Sequence, residues 1–277
     1  MTNAVGVTRL GHVNIVVPDH NAAVEHWRRL FDAEFFLFMY VPEQATANNL
    51  AVIGDTCIEL FAPWDEQSML GRTLTRRGPG LFAIEFTVRD YDQAERAITD
   101  RGLRVTHADH GAYFWVHPAD LGGIAMEFCP AHFQDDPRES PGWSTDRWAK
   151  GPLGITGLRS VSLNVTESAE VIAARLTELL GAEVKDAGNA GDREFTEVRI
   201  AGDTYRLLSP PASATTGGPV GGTGRGGVAS IDFAVADLAA VRRWARAVGV
   251  PVVTVNEGRL ALPGQLNLGT RVEFVQD

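Results

Sequence analysis

Two glutamates stand alone in otherwise apolar runs of the first half of the chain. They are Glu59 in GDTCIELFAP and Glu127 in VHPADLGGIAMEFCP. The same outline returns in the second half as GDTYRLLSPP, with Arg206 at the matching place, and as LGTRVEFVQD, with Glu273. Side chains alternate along a strand. Glu59 therefore shares a face with Cys57 and Phe61, and Glu127 with Ala125 and Cys129. Ile58, Leu60, Met126 and Phe128 point the other way and are the residues that pack under helices. A glutamate facing away from the helix layer requires a charged partner or water, because an unpaired buried carboxylate is costly. His12, in RLGHVNIVV, shares its strand face with Asn14 and Val16. Imidazole and carboxylate are the groups that coordinate metals and move protons.

The elements that must position these groups follow from the pattern. Residues 9–17 alternate as a half-buried strand. Pro18 and Asp19 end it and open a helix over His20–Phe31. Strands over Glu34–Val41, Ala47–Ile53 and Thr56–Ala62 follow, separated by PEQ and GD turns. This is a β-α-β-β-β unit. A second begins at Gly80 with LFAIEFTV, a helix in RDYDQAERAITDRG with a capping aspartate and a glycine stop, then LRVTHA, AYFWVH and GIAMEFC. A third starts at Gly157, with a helix over Glu167–Leu180 capped by Gly181. A fourth runs from VASIDFAVADL through a helix ending near Val248. Repetition of one unit is the strongest architectural signal in the chain. The chain divides into an N-terminal domain, 1–130, a linker, 131–153, and a C-terminal domain, 154–277. The linker is rich in proline and charge, yet it carries Trp143 and Trp148, which are expected to dock on a domain surface. PASATTGGPVGGTGRGG, between the third and fourth units, has the composition of a flexible loop. It is no phosphate loop, since no GK[ST] accompanies it.

Composition narrows the function classes. The chain has 277 residues, 44% hydrophobic and 22% charged, with a net charge of -10. That is an ordinary globular composition. It argues against a broad basic face for nucleic acid or anionic membrane. The two cysteines, Cys57 and Cys129, allow neither a disulfide framework nor a CxxC metal site and are expected as small core residues. No signal pattern or membrane-length apolar run is present, so a cytoplasmic, soluble protein is expected.

A repeated β-α-β-β-β unit resembles the vicinal oxygen chelate superfamily, which includes glyoxalase I, methylmalonyl-CoA epimerase, extradiol dioxygenases and bleomycin-resistance proteins. The first half is most similar to methylmalonyl-CoA epimerase. GHVNIVVPD resembles its opening strand, CIELFAPWDEQS its fourth strand and the loop after it, and HPADLGGIAMEF its closing hairpin. The resemblance implies an α+β fold of four βαβββ units paired into two glyoxalase-like domains, each a curved mixed sheet forming a cup with helices outside. It implies one divalent metal on the concave face, with one ligand position on each of four strands: His12, Glu59, Ala83 and Glu127. One imidazole and two carboxylates suit Mn, Co, Ni, Fe or Zn. Ala83 departs from the family, whose metal-binding members usually have histidine there. Either the site has fewer protein ligands, or Glu85 reaches in, or the metal is lost. Glu43, in VPEQ, matches a glutamate whose family role is acid/base chemistry next to a metal-bound carbonyl. A solvated turn residue is the alternative.

His20 and His26 are expected at the surface, His117 in a structural turn, and His107 and His110 exposed. Phe38, Tyr40, Tyr113 and Trp115 are expected either to shape an aromatic pocket or to fill the cup. In the second half the matching positions are Ser160, Arg206, Ser230 and Glu273. An arginine there is incompatible with a divalent cation, so a degenerate, metal-free cup is expected, with Arg206 and Glu273 as candidates to pair across it and Asp232 and Arg271 nearby.

The resulting expectation is a metal-dependent isomerase, epimerase or lyase acting through a metal-stabilised enolate of a small carbonyl compound. His12, Glu59 and Glu127 hold the metal, Glu43 or Glu127 moves the proton, and Asn14, Glu85 and Tyr113 contact substrate. An Fe(II)-dependent dioxygenase and a non-catalytic, bleomycin-resistance-like binding protein are the alternatives. The partner is a small vicinal-oxygen or carbonyl compound, with a homodimer left open.

Overall fold

A computed structural model describes residues 4–130, 133, 135–191, 193–211 and 226–276. The glycine-rich run between the third and fourth units lies largely outside them. The described residues form two curled, mixed, eight-stranded sheets. The first contains β1 (Val7–Val16), β2 (Glu34–Val41), β3 (Thr46–Ile53), β4 (Thr56–Pro63), β5 (Gly80–Val88), β6 (Val105–Asp109), β7 (Tyr113–Val116) and β8 (Ala125–Cys129). Its spatial order is β2-β3-β4-β1-β5-β8-β7-β6. The second contains β9 (Ile155–Asn164), β10 (Glu183–Ala190), β11 (Arg193–Ile200), β12 (Asp203–Leu208), β13 (Gly227–Val235), β14 (Val253–Asn256), β15 (Arg259–Leu262) and β16 (Val272–Gln276). Its order, β10-β11-β12-β9-β13-β16-β15-β14, repeats the first strand for strand.

Each unit has its helix where local chemistry starts and stops one: α1 (His20–Phe31), α3 (Tyr91–Thr99), α5 (Ala169–Leu180) and α6 (Leu238–Val248). Asp19, Asp90, Ser168 and Asp237 cap their N-termini by accepting from first-turn amides. Gly181 ends α5 in the left-handed region. The face under the helices is apolar, with Val13, Ile15, Ile58 and Leu60 fully buried beside Ala23 and Trp27 of α1.

Contacts gather the chain into two compact units. One comprises Met1–Gly11, Ala83–His132 and Ser160–Ala229. In it Phe86 lies 6.0 Å from Phe128 and 5.5 Å from Tyr205, and Ile172 packs where Gly122 has no side chain. The other comprises His12–Phe82, Phe133–Arg159 and Ser230–Asp277. There Phe31 meets Phe233 at 6.4 Å and Trp244 at 6.2 Å, and His26 Nε2 lies 2.8 Å from Asn267 Oδ1.

Two stretches differ from the sequence reading. α2 (Met69–Arg77) was not expected; Ser68 starts it by accepting from the Gly71 amide. The described part of the linker forms a strap. It holds a 3-10 turn over Pro137–Glu139 and the short α4 (Asp146–Ala149). Trp148 is buried and donates its indole N–H to the Asp32 carbonyl at 3.1 Å, while Trp143 is half-buried. Arg147 bridges Asp32 and Glu34.

Candidate metal centre

Strand order brings β4, β1, β5 and β8 side by side in the first sheet. β1 and β4 run parallel with Asn14 opposite Glu59, and β5 and β8 run parallel with Glu85 opposite Glu127. His12, Glu59 and Glu127 are buried at 1%, 4% and 6% exposure. They each offer a ligand atom, all within 4.8 Å of one another. His12 Nε2 is 2.9 Å from Glu59 Oε2.

The Glu59 carboxylate is aimed by two amides. Asn14 Nδ2 donates to Oε2 at 3.3 Å, and Asn48 Nδ2 donates to Oε1 at 2.9 Å. Asn48 lies two residues from Leu50, which pairs with Glu59 across β3 and β4, so it approaches diagonally on the same face. Two buried carboxylates this close repel each other in a medium of low dielectric, and a cation between them removes that cost. An imidazole and two carboxylates are also a set of ligands that divalent first-row metals accept. The residues present therefore fit a divalent ion.

Part of this sheet is similar to a known sequence family. Residues 11–115 match the glyoxalase/bleomycin resistance protein/dioxygenase superfamily. The match lies within the first half of the chain and ends before Glu127. Ethylmalonyl-CoA/methylmalonyl-CoA epimerase of Cereibacter sphaeroides is 29% identical over 129 residues, 44% of this chain and 96% of that protein. Mitochondrial methylmalonyl-CoA epimerase of Bos taurus is 25% identical over 126 residues, 43% of this chain and 72% of that protein. A mutant 4-hydroxymandelate synthase of Streptomyces coelicolor shares the fold over 98% of this chain and 93% of its own, with a TM-score of 0.74 at 13% identity. The named relatives are enzymes, which supports an enzyme in general.

In the first sheet the other expected site residues are placed variously. Ala83 is fully buried on β5. Glu85 is buried but is not part of the cluster; its carboxylate fills the space that a side chain at Gly11 would take. Asn14 is spent, at least in part, on Glu59. Tyr113 is half-buried on β7, on the strand face of Trp115, which lies opposite Glu127. Glu43 is exposed in the turn between β2 and β3. Cys57 lies on the strand face of Glu59, and burial pushes its thiol up to about 11. Cys129 is half-buried and donates its thiol to the Ala112 carbonyl.

His20 and His26 are half-buried rather than at the surface. His20 meets Asn49 and Phe38, and burial lowers the basicity of His26. His117 accepts from the Ala119 amide in a 3-10 turn over Pro118–Leu121. His110 is exposed and His107 half-buried. Phe38 and Tyr40 stand opposite Asn49 and Ala47, on the other face of the sheet from Asn48 and Glu59, and are exposed at 47% and 67%. They do not line the cluster.

Sequence reading missed four neighbours of the site. Asn48 was signalled by the paired amides of TANNLAVI. Phe133 and the Asp136–Arg138 pair belong to the strap and carried no periodic signal. Phe133 packs on His12 with ring centres 5.4 Å apart. Asp136 and Arg138 are joined by bonds of 2.8–3.2 Å, and the Arg138 charge is felt at Cys57.

At the matching place in the second sheet, Glu273 is bound by Arg259 and Arg271, and Arg259 also reaches the buried Asp232 at 3.1 Å. Ser230 donates to Asp232 at 2.6 Å. Arg206 instead lies 3.9 Å from Glu197 and over the Phe195 ring. Glu273 thus finds its cations in Arg271, which was expected nearby, and in Arg259, which the sequence reading did not single out.

Proposed function

We propose that the chain is a divalent-metal-dependent enzyme of the vicinal oxygen chelate type. On this reading it is an isomerase, epimerase or lyase that acts through the enolate of a small carbonyl compound. The observation that carries the reading is the convergence of His12, Glu59 and Glu127 within 4.8 Å in a buried setting. The kinship with two methylmalonyl-CoA epimerases supports it and makes CoA thioesters the first substrates to try.

A divalent ion held there would polarise a carbonyl oxygen and make the neighbouring C–H more acidic. The chain's own groups do the rest. His12 supplies a neutral nitrogen, and Glu59 and Glu127 supply two negative charges that balance a dication. Asn14 and Asn48 fix the Glu59 carboxylate so that its orientation does not change as substrate enters. Glu43 and Glu127 are the carboxyl groups that take the proton from carbon and return it, to the opposite face in an epimerase. Glu43, on an exposed turn, must be brought to the substrate when it binds. Glu85 and Tyr113 flank Glu127 and are proposed to shape the substrate's seat.

Metal content by mass spectrometry, after chelation and reloading with Mn²⁺, Co²⁺, Ni²⁺, Fe²⁺ or Zn²⁺, is the decisive test. About one ion per chain is expected, and it should be lost in Glu127→Ala. Glu43→Gln should keep the metal and slow solvent-deuterium exchange into the substrate by about 100-fold or more. No stoichiometric metal under any loading sinks the mechanism. Oxygen consumption by the Fe²⁺ form, without deuterium exchange, would instead identify a dioxygenase.

A further inference from the structure

The strap between the two sheets reads in the sequence as a linker, yet part of it sits on the candidate centre. The Phe133 ring lies 5.4 Å from the His12 imidazole, tilted by 51°. His12 is 1% exposed, so its ring has little freedom once that face is covered. Five residues on, the Arg138 guanidinium is 9% exposed and grips the fully buried Asp136 carboxylate through Nε and Nη2. Arg138 Nη1 also approaches the Asp55 carbonyl, at the turn that opens β4. A solvated linker has no need of a buried ion pair or of an aromatic ring on an internal histidine.

We propose that Phe133 is a positioning residue of the centre, holding the His12 ring plane for metal binding while the Asp136–Arg138 pair anchors the strap that carries it. This rests on the metal reading above. It also follows from the departure at Ala83. With alanine where the family usually has histidine, His12 is the one imidazole of the cluster, so its orientation has no second nitrogen ligand to compensate an error. Hydrogen-bonded partners that orient a metal ligand commonly matter by about 10- to 100-fold in metal affinity, and a packed ring that fixes the same orientation is expected at the low end of that range.

The test uses Co²⁺, whose visible absorption reports ligand geometry, with affinity read by chelator competition on the full-length protein. Phe133→Ala should bind Co²⁺ at least about 10-fold more weakly than wild type and show shifted absorption bands. Phe133→Tyr, which keeps the ring, should return both towards wild type. Arg138→Gln should weaken binding in the same direction while leaving every ligand in place. Thermal unfolding of the metal-free proteins guards against a trivial cause. If Phe133→Ala does not fold, Phe133→Leu keeps the apolar bulk without the ring and should give the same shifted bands. Wild-type affinity and spectrum in Phe133→Ala or Phe133→Leu overturn the proposal and leave the metal reading intact. Failure of the wild-type protein itself to bind Co²⁺ overturns both.

Discussion

Gly11 and Glu85 show how a single residue sets the layout around the site. A Cβ placed at position 11 would collide with the Glu85 carboxylate and come within 3.0 Å of Thr87 Oγ1. The absence of a side chain in β1 is what lets a buried carboxylate on β5 settle there. Glu85 is thereby kept apart from the cluster of His12, Glu59 and Glu127, although strand alternation puts it in line with Glu127. Gly11→Ala should destabilise the protein by about 1–3 kcal/mol, the usual cost of overpacking. Most of that cost should vanish when the same change is made in a Glu85→Ala background, because the obstructing group is gone. Urea unfolding of the four proteins measures the coupling. An equal cost in both backgrounds would mean that the strain lies in the β1 backbone and not in the carboxylate.

At the scale of elements, the chain's punctuation was legible because it rests on local chemistry. The aspartate caps, the glycine stop of α5 and the alternation along each strand follow from residues next to each other in sequence, whereas the meeting of His12, Glu59 and Glu127 was implied by the family resemblance. What could not be read depends on neighbours far apart along the chain. Asn48 reaches Glu59 only because β3 pairs with β4 in one register. Arg259 replaces Arg206 as the partner of Glu273 because β15 lies beside β16.

Another such contact ties the strand β6 to the 3-10 turn before β8. Arg104 donates to Asp120 through its backbone amide at 2.8 Å and through its guanidinium. Those bonds hold the Asp120 carboxyl down to about 2 from its usual 3.8. A depressed carboxyl contributes stability above its unfolded value, and that contribution is lost as pH falls through the folded one. The stability advantage of wild type over Asp120→Asn should therefore be full above pH 4 and shrink between pH 4 and pH 2. Thermal melts across that range read it directly. An advantage that does not change with pH would show that the contact holds by shape alone. Arg104 is well exposed, so salt should also weaken the effect.

For the whole molecule, the two sheets take their strands from successive stretches of sequence, but the compact units do not. One unit joins residues 83–132 to 160–229, with Phe86 against Tyr205 and Arg175 donating to the Asp120 carbonyl. The other joins residues 12–82 to 230–277, with Phe31 between Trp27, Phe233 and Trp244. Each half of the chain thus carries apolar surface that only the other half covers. Burial of large side chains of this kind contributes on the order of 2 kcal/mol each, so separation should be strongly unfavourable. Cutting the chain within the exposed stretch Glu139–Gly142 and co-expressing the pieces should give a complex that purifies as one species. Either piece alone should aggregate or bind a dye for exposed apolar surface. Two pieces that each run as folded monomers and do not associate would show that the shared cores are dispensable. The cut leaves Phe133 and the Asp136–Arg138 pair in the same piece as His12, so the complex should also keep its metal affinity.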